Sequence, residues 1–206
     1  MPDSARLTAP LTAPLGGSTE GHLVVRRGLG DADLGSDAGM PDIYSARCTR
    51  RPPRARVRGG TVELTYPRLS LGLGERRDTV TLNGSIPWRV EVHGGVGDVA
   101  ADLSGVDLRS LEVAGGVAHT SLDLSAPSGT VPVRLGSVRD VTIRRPAGVP
   151  VRVRVRRGSR RLAVDDQAIG AAAGPTTLVT PGFATATDRL DVSVDAADRL
   201  TITTRG

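Results

Sequence analysis

Five side chains in the middle of the chain have chemistry suited to acid–base catalysis or metal binding: His93, His119, Asp98, Asp102 and Asp107. Two carboxylates held together can exchange a proton with a substrate, and imidazoles combine with carboxylates or thiolates around zinc. None of these side chains stands at the spacing of a zinc ligand pair. We therefore expect surface histidines and solvated turn carboxylates, with no catalytic residue and no metal ligand.

A glycine-rich segment at Gly95 and Gly97 follows a predicted strand, as the start of a dinucleotide-binding motif does. That motif requires a helix directly afterwards, because the helix N-terminus faces the pyrophosphate. Alternating apolar residues and Gly105 follow instead, which favours a second strand after a tight corner. We expect no bound cofactor.

Arginine forms the clearest surface pattern. Arg152, Arg154 and Arg156 alternate with valines, so on a strand all three point to the same outer face. Arg134, from the preceding repeat, is expected to stack near them. Stacked guanidinium groups repel one another, so this candidate interaction face favours an anionic protein or lipid surface. A merely solvated face is the alternative. Nucleic acid fits poorly, since stacking aromatics are missing and the net charge is only +5.

Strands must position these residues, because one pattern recurs: an alternating apolar run, a turn of small residues, and a second alternating run. Such runs start at Val90, Leu111, Val131 and Val151, in steps of 21, 20 and 20 residues. Fixed steps of this size are typical of stacked repeats, whose neighbours satisfy one another's strand edges. The sequence predicts an all-β, single-domain β-solenoid with repeats of about 20 residues. A β-sandwich is the alternative, because a sequence does not fix the pairing order.

Composition supports this fold class. With one Trp, two Tyr and one Phe among 206 residues, the core must consist of Val, Leu, Ile and Ala, and 26 Gly and 14 Pro favour short strands and turns. Every basic residue is arginine. Cys48 is the only cysteine, so no internal disulfide forms and we expect a buried, inert thiol.

No apolar run is long enough for a transmembrane helix, and the N-terminal residues do not resemble a signal peptide. We expect a cytoplasmic protein that reaches the membrane through a partner. Residues 1–20 repeat the sequence LTAP, and their prolines predict a disordered tail or a short docking peptide. Residues 21–206 are predicted to form one domain, in which residues 167–189 form a loop.

Several segments resemble a known family. They are residues 96–103 (VGDVAADL), 111–124, 127–133 (PSGTVPV), 141–149 (VTIRRPAGV), 181–183 and 186–189. They look like toastrack domains of actinobacteria and are similar to the C-terminal domain of LiaF-type envelope-stress proteins. The resemblance extends over most of residues 21–204. It implies a short β-helix that serves as a ligand- or protein-interaction module and supplies no catalytic residues.

The chain departs from this family in two respects. Relatives often sit beside membrane helices, and no such helix is encoded here. Where relatives keep two glycines at the later turns, this chain has Gly158 followed by Ser159, and Ala196 with Ala197. Membrane placement and any site at those turns are therefore not carried over from the family.

The favoured function is a non-enzymatic scaffold or protein-interaction module in envelope-stress or membrane-associated signalling, acting as a monomer or weak oligomer. One alternative is a self-assembling, bactofilin-like structural protein, because the ends of a solenoid expose strand edges. Another is a β-helix that binds or acts on glycans through a cleft containing acidic residues.

Overall fold

The computed structural model describes residues 9–48, 52–67 and 78–205, and the regular elements within these ranges are all β-strands. The strands are β1 (Leu11–Pro14), β2 (Gly21–Arg26), β3 (Ala32–Asp37), β4 (Asp42–Arg47), β5 (Arg54–Arg58), β6 (Thr61–Thr65), β7 (Asp78–Asn83), β8 (Trp88–His93), β9 (Val99–Leu103), β10 (Leu108–Val113), β11 (Thr120–Leu124), β12 (Thr130–Val138), β13 (Val141–Arg145), β14 (Val151–Val155), β15 (Ser159–Val164), β16 (Gln167–Ile169), β17 (Thr176–Val179) and β18 (Arg189–Thr204).

Pairs of strands form rungs, and successive rungs pair in parallel. In spatial order the rungs are β6/β7, β2/β3, β8/β9, β10/β11, β12/β13, the two halves of β18, and β14/β15. The first strand of every rung contributes to what we call the front sheet, and the second to the back sheet. This is the predicted all-β solenoid, and its parallel pairing between rungs differs from that of the alternative β-sandwich.

The core is a column of aliphatic side chains between the two sheets. Every rung adds one to the same row of the front sheet, in the order Val62, Leu23, Val90, Leu111, Val133, Val192 and Val153. None of them is more than 4% exposed. Trp88 is also fully buried, and its indole nitrogen donates a hydrogen bond to the carbonyl oxygen of Asn83 at 2.7 Å.

A corner of small residues joins the two sheets. Leu29, Val96, Val117 and Val138 stack there through single parallel bridges. Gly94 precedes this row with a φ of 136°, and a Cβ on it would lie 2.5 Å from the backbone nitrogen of Gly28. Only glycine permits both the backbone conformation and this close approach between rungs.

The predicted spacing is right for the first step only. Leu111 pairs with Val90, but the next partner of Leu111 is Val133 and not Val131. A slip of two residues keeps the same side chains inside, so the apolar pattern allows it. Val133 and Val153 do not pair with each other either, because Val192 of β18 pairs with both.

The first and last rungs of the chain lie inside the stack. β2/β3 lies between β6/β7 and β8/β9, although β6/β7 comes later in the sequence. β18 lies between β12/β13 and β14/β15. The side chain of Arg145, 4% exposed, crosses this inserted strand to form an ion pair with Asp165.

Antiparallel strands cover both ends of the stack. At one end β5 pairs with β6, β4 with β7, and β1 with β4. At the other end β17 pairs with β14, and β16 with β15. The predicted loop over residues 167–189 therefore contains two strands.

The prediction of a disordered tail is wrong for Leu11–Pro14, while residues 1–8 lie outside the described residues. Leu11 and Ala13 pack against the core, and this burial stabilises an extended segment. Pro14 is the last residue of β1, where the register with β4 shifts. A proline is tolerated there because the ladder does not continue past it.

Candidate functional site

Four of the five acid–base candidates are engaged by separate local partners, and Asp98 is exposed in the corner directly before β9. The imidazole of His93 lies 3.3 Å from the carboxylate of Glu91 on the front sheet, and that of His119 lies 4.0 Å from Asp140. On the back sheet, the Asp102 carboxylate accepts hydrogen bonds from the backbone nitrogen and hydroxyl of Ser104. These bonds lower the pKa of Asp102.

Asp107 is 2.7 Å from Arg109 at the start of β10. Within residues 9–48, 52–67 and 78–205 no three metal-binding side chains come together. Two adjoining depressions of about 610 and 410 Å³ lie along the glycine corner. The side chains at their rims include Arg139, Arg157, Arg160 and Asp198, and none of the five candidates lines them.

The four arginines of the predicted interaction face do not form one continuous row. Arg152 and Arg154 do lie on β14 of the front sheet, and Arg156 directly follows this strand. These three, here called the β14 arginines, all meet carboxylates of β18. Arg134 is not next to them. It pairs with Ser193 of β18, which in turn pairs with Arg154, so a whole rung separates the two arginines.

The inserted strand brings carboxylates between the arginines. Asp191, whose side chain is 15% exposed, accepts hydrogen bonds from Arg152 at 2.7 and 3.1 Å and from Arg154 at 3.0 Å. Asp195 lies 3.0 Å from Arg156, and Glu112 lies 3.6 Å from Arg134. These carboxylates reduce the predicted repulsion between the guanidinium groups, although Asp191 is shared by Arg152 and Arg154, and Asp195 by Arg156 and Arg157.

These contacts shift the pKa of Asp191. The hydrogen bond from Arg152 is the main cause that lowers it, and the charges of Arg154 and Arg152 add to the effect. Partial burial opposes the shift, since it disfavours the charged carboxylate. The same contact raises the pKa of Arg152. Both groups therefore stay charged and paired over the ordinary pH range.

An aromatic side chain covers one end of the β14 arginines. Phe183 is 7% exposed, with the guanidinium of Arg152 4.8 Å and that of Arg189 5.1 Å from its ring centre. Arg189 also donates hydrogen bonds to the carbonyl oxygen of Phe183 at 3.0 Å and to the hydroxyl of Thr130 at 2.9 Å. The loop before β18 is thereby fixed against the front sheet.

The four predicted face residues thus differ in what they offer a partner. Arg152 is 34% exposed and lies between Phe183 and Asp191, which makes it part of the fold. The side chains of Arg134 and Arg156 are 61% and 74% exposed. They flank a mixed-charge surface of alternating Glu112, Arg134, Asp195 and Arg156, which sequence reasoning did not predict.

The sequence contained a pattern from which the acidic neighbours of the arginines could have been predicted in part. Asp191, Ser193 and Asp195 alternate with Val192 and Val194, so they had to lie on the outer face of a strand. The sequence did not show which strands lie beside that strand, so it did not show that these acids meet the arginines.

The described part of the chain contains no helix long and apolar enough to cross a membrane. Cys48 is buried, as predicted, at 2% exposure. Burial is the main reason that its thiol pKa rises to about 12, and the charge of Asp78 and a hydrogen bond to it raise it further.

Part of the chain matches a known protein family, and two solved structures are similar to the chain. Residues 57–143 match the family model described as the N-terminal domain of toast_rack, DUF2154. A solved structure from Clostridium sporogenes, described as a "putative cell adhesion protein", has a TM-score of 0.71 over 97% of this chain and 100% of that one, at 18% identity. A "putative adhesin" from Bacteroides fragilis reaches only 0.30 over 96% and 98%, at 11% identity. No curated protein matches.

The family match and the shared fold agree with the resemblance found in the sequence, whereas an actinobacterial origin stays a prediction. Residues 57–143 are therefore similar to the N-terminal domain of the toastrack family, and the chain shares the fold of the Clostridium sporogenes structure.

Proposed function

We propose that this chain is a non-catalytic protein-interaction module in envelope-stress or other membrane-associated signalling, and that it meets a protein partner through the front sheet around Arg134 and Arg156. The observation that carries this proposal is the mixed-charge surface itself. It is built on a rigid sheet, its two arginines are well exposed, and their carboxylate partners are fixed by neighbouring strands. A preorganised surface of both signs suits a protein with complementary charges.

Several features support this use of the sheet. The toastrack-family match and the fold shared with a protein described as a putative adhesion protein agree with a binding module. Because Glu112 and Asp195 lie beside Arg134 and Arg156, a uniformly anionic lipid surface would meet repulsion as well as attraction. A cytoplasmic chain that reaches the membrane through such a partner fits this proposal.

The test is capture of partners from a lysate of the source organism on immobilised chain, compared between variants. Arg134→Glu with Arg156→Glu should abolish recovery of the specific partner, and added salt should weaken recovery of that partner by the wild type. Arg161→Glu with Arg144→Glu, on the back sheet, makes the same change in net charge and serves as the matched control. Arg152 is left intact because its loss would uncover the buried side of Asp191. Equal recovery by both variants would refute the proposal.

Self-assembly into filaments is the main rival. Both ends of the stack finish in antiparallel strands, so a second copy would have to pair in a way that no other rung does. We propose a monomer or weak oligomer. Light scattering over a concentration series tests this, and a molar mass that rises without limit would favour the filament.

A further inference from the structure

β5 is the outermost front-sheet strand at one end of the stack. Among the described residues it pairs only with β6, so one of its two edges carries backbone groups without a strand partner. Such an edge can accept an added extended chain, whose backbone supplies affinity and whose alternate side chains supply specificity. The side chains of β5 therefore decide which chain can add.

Three exposed arginines point outward from this strand: Arg54, Arg56 and Arg58, here called the β5 arginines. Arg56 pairs across the ladder with Glu63, but the Glu63 carboxylate is taken up by Arg26 at 3.6 Å. Within the described part of the chain no carboxylate lies within ion-pair distance of any β5 arginine. Six of the twelve residues from Arg47 to Arg58 are arginines, and none is acidic.

The inner side of β5 continues the core only in part. Ala55 pairs with Leu64 and Val57 with Val62, and both partners are fully buried. Val57 itself is 36% exposed, so the aliphatic column ends at a partly open position. A further strand would cover Val57 if it placed an aliphatic residue there.

We propose that the open edge of β5 binds an extended acidic segment of a partner protein by strand addition. Aspartate or glutamate of that segment faces the β5 arginines, and aliphatic residues at the intervening positions cover Ala55 and Val57. The pattern of the ligand is thus acidic and aliphatic in strict alternation. This surface is separate from the one around Arg134 and Arg156.

A second copy of this chain fits the edge less well. Two β5 strands side by side would bring three arginines against three, which costs free energy in a sheet. The edge strands at the other end, β16 and β17, have the sequences QAI and TTLV and carry no acidic residue. Charge complementarity therefore points to a different, acidic chain.

The experiment uses the full chain and a fluorescent peptide, Asp-Val-Glu-Val-Asp with neutral flanks, and measures binding by fluorescence anisotropy. Replacing all three β5 arginines by glutamine should weaken binding about tenfold or more. Arg139→Gln, Arg160→Gln and Arg161→Gln together remove the same charge elsewhere and should leave the affinity unchanged. Circular dichroism confirms that both triple variants keep the fold.

Changes to the peptide test the mode of binding. N-methylation of alternate residues keeps the charge and removes backbone donors, so binding should be lost. Moving the acids to one end should weaken binding as well. The proposal fails if the β5 variant binds like wild type, if the methylated peptide still binds, or if oligothymidine or anionic vesicles bind more tightly than the peptide. Arg134→Glu with Arg156→Glu should not affect the peptide, so the two proposed surfaces fail separately.

Discussion

The β14 arginines and the β5 arginines come from closely similar sequences, VRVRVR at residues 151–156 and RARVR at residues 54–58. Five of the six lie on front-sheet strands, and Arg156 directly follows the end of β14. On β14 a neighbouring strand supplies Asp191 and Asp195, and each of the three guanidinium groups contacts one of these carboxylates. On β5 the neighbouring strand β6 offers two threonines and an already paired glutamate. The alternating sequence thus determines which face of the sheet a charged side chain points to. The adjacent strand determines whether that charge has an opposite charge beside it.

The strongest way to break this comparison is to remove β18, with a chain that ends at Asp188. We expect loss of the cooperative thermal transition, because Val192 and Ile202 are fully buried in the middle of the stack. Circular dichroism against temperature measures it. Replacing the β5 arginines by glutamine is the comparison, and should leave the transition in place. A cooperative transition in the truncated chain would mean that β18 is not an interior rung.

Removal of single carboxylates tests the same difference more gently. Asp191→Ala leaves Arg152 and Arg154 without their shared partner and should lower the free energy of unfolding by about 1.5–3 kcal/mol. Glu63→Ala removes an exposed pair and should cost less than about 0.5 kcal/mol. Urea unfolding of both variants measures the two values. Equal losses would contradict the view that Asp191, which holds two arginines of β14, stabilises the fold more than Glu63, whose partner is the exposed Arg26.

Acid should remove the contribution of Asp191. Its pKa in the folded chain is lowered by Arg152, so its stabilisation is complete above the ordinary value of about 4 and is lost as the pH falls through the folded value. The stability gap between wild type and Asp191→Asn should therefore stay constant above about pH 5 and close towards about pH 2. Urea unfolding across this range measures it, and a gap that persists at the acid end would contradict the assignment.

The smallest expected effect is on the rate of thiol modification at Cys48, which lies shortly before β5 in the sequence. Its thiol pKa is raised to about 12, although the segment that follows is rich in arginine. At about pH 8 we expect a disulfide reagent to modify the native chain on the order of a hundredfold more slowly than the chain in urea. Rapid labelling would show that the arginines do act on the thiol.

Local pattern was sufficient for the class of fold. Alternating valines and small turn residues predicted rungs, inward and outward side chains, and the first pairing of Val90 with Leu111. The pattern could not distinguish Val131 from Val133 as the next partner, because a two-residue slip buries equivalent side chains.

The neighbours of the arginines depend on pairs far apart in the chain. Asp191 reaches Arg152 across 39 residues, and Arg145 reaches Asp165 over an inserted strand. Neither residue propensity nor the repeat period encodes such an insertion. Sequence reasoning therefore did not predict the carboxylates of β18 that lie beside the arginines. Sequence reasoning likewise did not predict that the three arginines of β5 lie on an edge strand.

The interior position of both terminal rungs has a consequence for biosynthesis. A growing chain cannot complete its sheets from one end to the other, because the position between β12/β13 and β14/β15 is filled only after β18 has been synthesised. Until then the facing edges of β13 and β15 are exposed to other nascent chains, a situation that favours misassembly. Once β18 is inserted, both of these edges are paired and the described rungs form one continuous stack.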